Sequence, residues 1–188
     1  MADRHKILVV DDDPDMLKSG KILLETADYD VAVAEGGAQG ILRLESEEFD
    51  LVLLDINMPD VDGEQVLKFI NDKKINVAVV VLSGETDFDH VTGAFQLGAF
   101  DFVKKPYEFD ELKVTMKNAI RKLEIEKSLL SLRKKLERSE RLHRFMIESS
   151  PDIIMIVDKN GNFAFVNDRA EDLLNYKKDE LIGEHYST

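Results

Sequence analysis

The chain has 188 residues, no cysteine and a formal net charge of −13, with 44% of its residues hydrophobic. That length suffices for one full domain and part of another, the apolar content is enough to bury a core, and the lack of cysteine excludes a disulfide framework or a thiolate metal site. No apolar run approaches the length of a signal peptide or a membrane span, so a cytoplasmic protein without a membrane anchor is expected.

The charge is unevenly spread. Residues 1–107 carry 22 acidic and 10 basic side chains, a balance of −12, whereas residues 117–144 carry 4 acidic and 10 basic, a balance of +6. The acidic part repels phosphate and is not expected to bind nucleic acid. The basic segment is interleaved with Glu124, Glu126, Glu137 and Glu140, the pattern of a solvated helical face, so no nucleic-acid partner is expected for the chain as a whole.

In chain order, short β-branched runs predict strands at 7–10, 31–34, 51–54, 77–82 and 102–104. The central runs are apolar at every position, as in a parallel sheet covered on both faces. The stretches "PDMLKSGKILLETA", "AQGILRLESEE", "EQVLKFIND" and "FDHVTGAFQLGA" carry helical patterns and fill the gaps between them. The expected fold is α/β, with five βα units in one doubly wound parallel sheet.

From residue 109 to 146 there is no proline or glycine. A helix of that length extends roughly 57 Å. Phe109, Leu112, Met116, Ala119 and Leu123 are placed to pack on the sheet, and Ile125, Leu129, Leu132 and Leu136 then keep a 4-3 spacing. Ser139 and His143 loosen the seam before Met146. A short parallel coiled coil is expected, with a homodimer as the simplest way to cover it. After it, "IIMIVDKNGNFAFVN" reads as two strands joined by an Asp-Lys-Asn-Gly turn, and "DRAEDLL" and "KKDELIG" as short helices. About 40 residues lie near the lower limit for independent folding, so 147–188 reads as the first part of a domain.

Ligands of a parallel α/β sheet bind beyond the carboxyl ends of its strands. Here those ends carry Asp11 and Asp12, Asp55, Ser83, and Lys104-Lys105 before Pro106. Carboxylates about 4 Å apart repel by roughly 4 kcal/mol per pair at an effective dielectric near 20, so three together call for a cation. With oxygen ligands alone, Mg²⁺ is the first expectation. A metal, a lysine, a hydroxyl and a free carboxylate suit phosphoryl transfer, with Asp55 the better nucleophile because it stands alone on the middle strand. Asp13 is expected to cap the following helix, and Asp60 and Asp62 to form the turn after the third strand.

The motifs "ILVVDDD", "LVLLDINMPDVDG", "VVVLSG" and "DFVKKP", in this order and at these strand ends, closely resemble the receiver domain of two-component response regulators over residues 3–122. The resemblance implies a flavodoxin-like sheet of order 2-1-3-4-5. It implies that Asp55 accepts a phosphoryl group from a phosphohistidine on a histidine kinase or phosphotransfer protein. Mg²⁺ would be bound by Asp12, Asp55 and the Asn57 backbone carbonyl, with Asp11 acting through water, while Ser83 and Lys105 contact the phosphoryl group. Ser83 and Phe102 would form the switch that reshapes the surface of the helix over "FDHVTGAFQLGA", the fifth strand and the helix after it. Asn57 and Glu85 occupy positions that tune phosphoryl lifetime. The segment "FMIESSPDIIMIVDKNGNFAFVNDRAEDLLNYKKDELIG" resembles the start of a PAS sensory domain, a partial α+β unit. The expected function is a phosphorylation-dependent signalling module with no enzymatic activity beyond phosphorylating and dephosphorylating itself at Asp55, its signal passing along the 109–146 helix toward the PAS segment.

Two alternatives stand beside this. Asp11 and Asp13 form a D-x-D that would suit a Mg²⁺-dependent phosphatase of haloacid-dehalogenase type, and a phosphorelay receiver without output of its own would carry the same site. His143 lacks the flanking acidic residue and proline of a kinase phosphoacceptor and reads as a surface histidine, as does His90.

Overall fold

A computed structural model of the chain describes residues 4–84 and 93–187, which fall into two compact units, Met1–Lys127 and Ser128–Thr188. In the first unit the elements run β1 (Lys6–Asp11), α1 (Pro14–Thr26), β2 (Asp30–Glu35), α2 (Gly37–Ser46), β3 (Leu51–Asp55), α3 (Gly63–Lys73), β4 (Ala78–Ser83), β5 (Asp101–Lys104) and the start of α4 (Phe109–Glu148). Residues 93–96 are helical, and the first part of the helix expected over "FDHVTGAFQLGA", with His90, lies outside the described residues. All five strands pair in parallel in the order β2-β1-β3-β4-β5, the expected doubly wound topology.

Strand alternation builds two cores from one sheet. Ile7, Val9, Leu51, Leu53, Val80, Leu82 and Val103 face α1 and α4, where they pack on Leu17, Leu24, Leu112, Met116 and Ile120. Leu8, Val10, Val52, Leu54, Val79 and Val81 face α2 and α3, against Leu44, Val66, Leu67 and Ile70. Each such fully buried aliphatic contributes about 1.5–3 kcal/mol of transfer free energy.

Each strand extends one residue past its last apolar position, so Asp11, Asp55 and Ser83 are the final residues of β1, β3 and β4. Pro14 opens α1 behind Asp13, whose Oδ1 accepts from the Asp15 amide at 2.8 Å and the Met16 amide at 3.4 Å. Asp62 caps α3 in the same way, accepting from the Gln65 amide at 2.8 Å. Asp60 adopts the left-handed conformation, φ 64°, within the turn.

The second unit holds the remainder of α4, which ends at Glu148, two residues beyond the expected 146. It continues with the antiparallel hairpin β6 (Met155–Val157) and β7 (Phe163–Val166) and the short helices α5 (Asp168–Leu174) and α6 (Lys178–Leu181). The Asp-Lys-Asn-Gly turn forms as expected, with Asp158 Oδ1 accepting from the amides of Asn160 at 2.8 Å and Asn162 at 2.9 Å. Asn167, fully buried, ties the unit together: its side-chain amide donates to the carbonyls of Ile147 and Asp152, and its oxygen accepts from the Ile154 amide. Lys178 Nζ donates to both carboxylate oxygens of Glu148, the last residue of α4, at 2.8 and 3.0 Å. No helix among the described residues is long and apolar enough to cross a membrane.

Candidate functional site

Alternation also decides which polar groups meet. Asp11 follows Ile7 and Val9 in phase, Asp55 follows Leu51 and Leu53, and Lys105 follows Val103, so all three emerge on the α1 and α4 side of the sheet at its carboxyl edge. Lys105 Nζ lies 2.8 Å from Asp11 Oδ2 and 2.9 Å from Asp55 Oδ2, bridging side chains 94 and 50 residues away in sequence. Asp12 completes the acidic group: one ligand oxygen from each of Asp11, Asp12 and Asp55 falls within 4.8 Å of the others. Asp11 and Asp55 are buried and Asp12 is exposed, so the group opens to solvent on the Asp12 side.

Burial pushes the Asp55 carboxyl above its ordinary range. The hydrogen bond and charge of Lys105 oppose that rise, and the nearby Asp11 adds to it. For Lys105 burial acts to lower the ammonium, but hydrogen bonds to Asp11 and Asp55 outweigh it and hold the proton to higher pH. The Asp55 Oδ1 oxygen accepts from the Asn57 amide at 3.3 Å and Asp11 Oδ1 from the Asp13 amide at 2.9 Å, which fixes the rotation of both carboxylates.

Ser83 is buried beside this group and faces the other side of the sheet, in phase with Val79 and Val81; its carbonyl accepts from the Lys105 amide at 2.7 Å. Phe102 is 39% exposed and makes an edge-on contact with Phe95 at 6.0 Å, so its ring is turned outward here. Asn57 is exposed in the turn after β3, and Glu85 lies outside the described residues. Asp13, the second carboxylate of the D-x-D alternative, is engaged in capping α1 and lies outside the acidic group.

Three contributors escape a reading by motif. Met16 and Tyr107 line the open cleft of about 680 Å³ above the acidic group, and burial pushes the Tyr107 phenol upward. The third is Gly63: a Cβ there would lie 2.5 Å from the Asp55 carbonyl oxygen and 2.8 Å from Ile56 Cα, so only glycine lets α3 start directly against the backbone that carries Asp55. Its sequence signal, Asp62-Gly63, reads only as a turn.

The family model for the response regulator receiver domain matches residues 7–117, and the PAS fold model matches residues 141–188. Among curated proteins, the alkaline phosphatase synthesis transcriptional regulatory protein PhoP of Bacillus subtilis (strain 168) is 35% identical over 121 residues, which is 64% of this chain and 50% of that protein. The cell cycle transcriptional regulator CtrA of Caulobacter vibrioides (strain NA1000 / CB15N) is 29% identical over 117 residues, 62% of this chain and 51% of that protein. The chain thus spans about half the length of these relatives. Among solved structures, a CheY-like response regulator receiver domain protein from Methanospirillum hungatei JF-1 superposes with TM-score 0.63 at 28% identity, covering 66% of this chain and 99% of that one. A response regulator receiver domain protein from Clostridium thermocellum superposes with TM-score 0.61 at 32% identity, covering 64% and 98%. With the family model matching more than half of its residues, the chain belongs to the response regulator receiver family of two-component systems, joined to a PAS segment.

Proposed function

We propose that this receiver is a phosphorylation-dependent signalling module in which Asp55 takes a phosphoryl group from a phosphohistidine of a histidine kinase or phosphotransfer protein. The observation that carries the reading is the bridge of Lys105 Nζ between Asp11 and Asp55, with Asp12 in the same group. An Asp55 oxygen attacks phosphorus in line, the P–N bond to the donor imidazole breaks, and the electron pair leaves with the imidazole nitrogen. Lys105 counters the burial that disfavours ionised Asp55 and stands beside the oxygen that reacts. Its ammonium then donates to a phosphoryl oxygen, and the Ser83 hydroxyl, drawn toward the phosphoryl group from the other side of the sheet, donates to another.

The donor set, three carboxylates within 4.8 Å and no nitrogen or sulfur, fits a hard divalent cation. Asp12, Asp55 and the Asn57 carbonyl would hold Mg²⁺, with Asp11 acting through water. The bound ion would supply charge neutralisation at the phosphoryl oxygens. Ser83 and Phe102 form the switch, Phe102 turning inward from its present exposure, and Asn57 and Glu85 tune how long the phosphoryl group persists. The signal leaves through the 109–146 helix, paired with a second copy, toward the PAS segment, in a cytoplasmic setting that suits a chain without cysteine.

The test is labelling of the full chain by a small-molecule phosphodonor with Mg²⁺. Wild type is labelled and Asp55→Asn is not; equal labelling of the two sinks the assignment. Turnover of a generic phosphate ester, lost in Asp11→Asn and kept in Asp55→Asn, would instead support the phosphatase reading.

A further inference from the structure

The apolar stripe of α4 changes sides along its length. Met116, Ala119, Ile120 and Leu123 are buried in the core of the first unit, whereas Ile125, Leu129, Leu132 and Leu136 are 50%, 63%, 66% and 61% exposed. At about 100° of turn per residue the second stripe lies roughly opposite the first, so the sheet that buries one cannot cover the other. Its 4-3 spacing assigns Ile125, Leu132, Ser139 and Met146 to d positions of a heptad and Leu129, Leu136 and His143 to a positions.

We propose that a second copy of this chain covers this stripe in parallel and in register, with Arg121 and Lys135 of each copy set against Glu126 and Glu140 of the other. The inference rests on the homodimer reading above and adds its orientation and register. The flanking g positions are Arg121, Ser128, Lys135 and Leu142, and the e positions are Glu126, Arg133, Glu140 and Ile147. Parallel helices set each g residue against the e residue five further on in the other copy. The result is Arg121 with Glu126, Ser128 with Arg133, Lys135 with Glu140 and Leu142 with Ile147: two opposite-sign pairs from each copy, an apolar pair, and no like-sign pair.

Antiparallel helices instead set e against e and g against g. The antiparallel register that matches the whole seam end to end stacks Arg133 on Arg133, Lys135 on Lys135 and Glu126 on Glu140, all like charges. The one that buries only the four aliphatics retains Glu126 against Arg133, half as many opposite-sign pairs, and sets Lys122 on Ser139. Charge therefore selects the parallel arrangement, and a polar a position such as His143 facing its own copy resists sliding along the seam.

A chain without cysteine makes the test clean, because any inter-chain disulfide comes from the introduced thiol. In the Ser139→Cys chain, at a d position, mild oxidation should convert most of the protein to a covalent dimer, while Ser131→Cys, on the outer face, should remain uncrosslinked. Lys135→Glu should weaken the dimer about tenfold, an effect reduced at high salt, and Lys135→Glu with Glu140→Lys should restore it. A wild-type chain that sediments as a monomer at every concentration overturns both the homodimer and this inference, leaving the labelling of Asp55 as it was. A dimer in which Ser139→Cys does not close, or in which the charge reversals change nothing, overturns the orientation and register alone.

Discussion

Desolvation outweighs the ammonium of Lys105 at Asp55, so its carboxyl is raised despite a 2.9 Å hydrogen bond to that lysine. A carboxyl raised above its unfolded value of about 3.9 contributes stability that is full below that value and is lost as pH rises through the folded one. In chelator at neutral pH, Asp55→Asn should therefore be more stable than wild type, and the gap should close as the solution is acidified through the carboxylate range. Urea melts at a series of pH values check this; a gap that widens toward acid would contradict it. Gly63→Ala acts through space alone. Its Cβ would press on the Asp55 carbonyl oxygen and Ile56 Cα, backbone atoms that have no rotamer to yield, so a loss of about 1–3 kcal/mol is expected in the urea midpoint, with weaker divalent-cation binding in titration. Asp55 announces itself in sequence as a charge at the end of an apolar run. Gly63 and Tyr107 do not, because their roles depend on what the fold brings against them.

Elements were legible wherever periodicity ran unbroken. The five parallel strands and the hairpin follow from hydrophobic pattern and turn chemistry, yet the first four strands run one residue past their expected ends. Apolar pattern ends at Val10, Leu54 and Leu82, whereas the backbone ladder continues through the next residue, which places Asp11, Asp55 and Ser83 on the rigid sheet instead of in a loop. Asn167 was hidden for a related reason, since an asparagine opening a helix reads as a surface cap. It is fully buried and holds three backbone groups around α4, β6 and α5. Asn167→Ala leaves those groups to find other partners, and a loss of about 1–3 kcal/mol is expected. The loss should be confined to the second unit and read by hydrogen exchange at residues 153–167, with protection in β1 and β3 unchanged.

At the scale of the whole chain, every described residue of the acidic site and both cores of the sheet lie in the unit Met1–Lys127. A chain ending at Lys127 should therefore unfold within about 0.5 kcal/mol of the corresponding transition in the full chain and be labelled at Asp55 equally well. A truncated chain that folds but is not labelled would show that the site needs the second unit. The alternation that brings Asp11, Asp55 and Lys105 to one side has a consequence for which changes this molecule can survive. Inserting one residue between Leu51 and Val52 of β3 would exchange Leu53 with its neighbours across the sheet and turn the Asp55 carboxylate toward α3 in the same stroke. Packing and chemistry share one reading frame, so single-residue insertions and deletions should be tolerated in the connections at the amino edge of the sheet and never within β1 or β3.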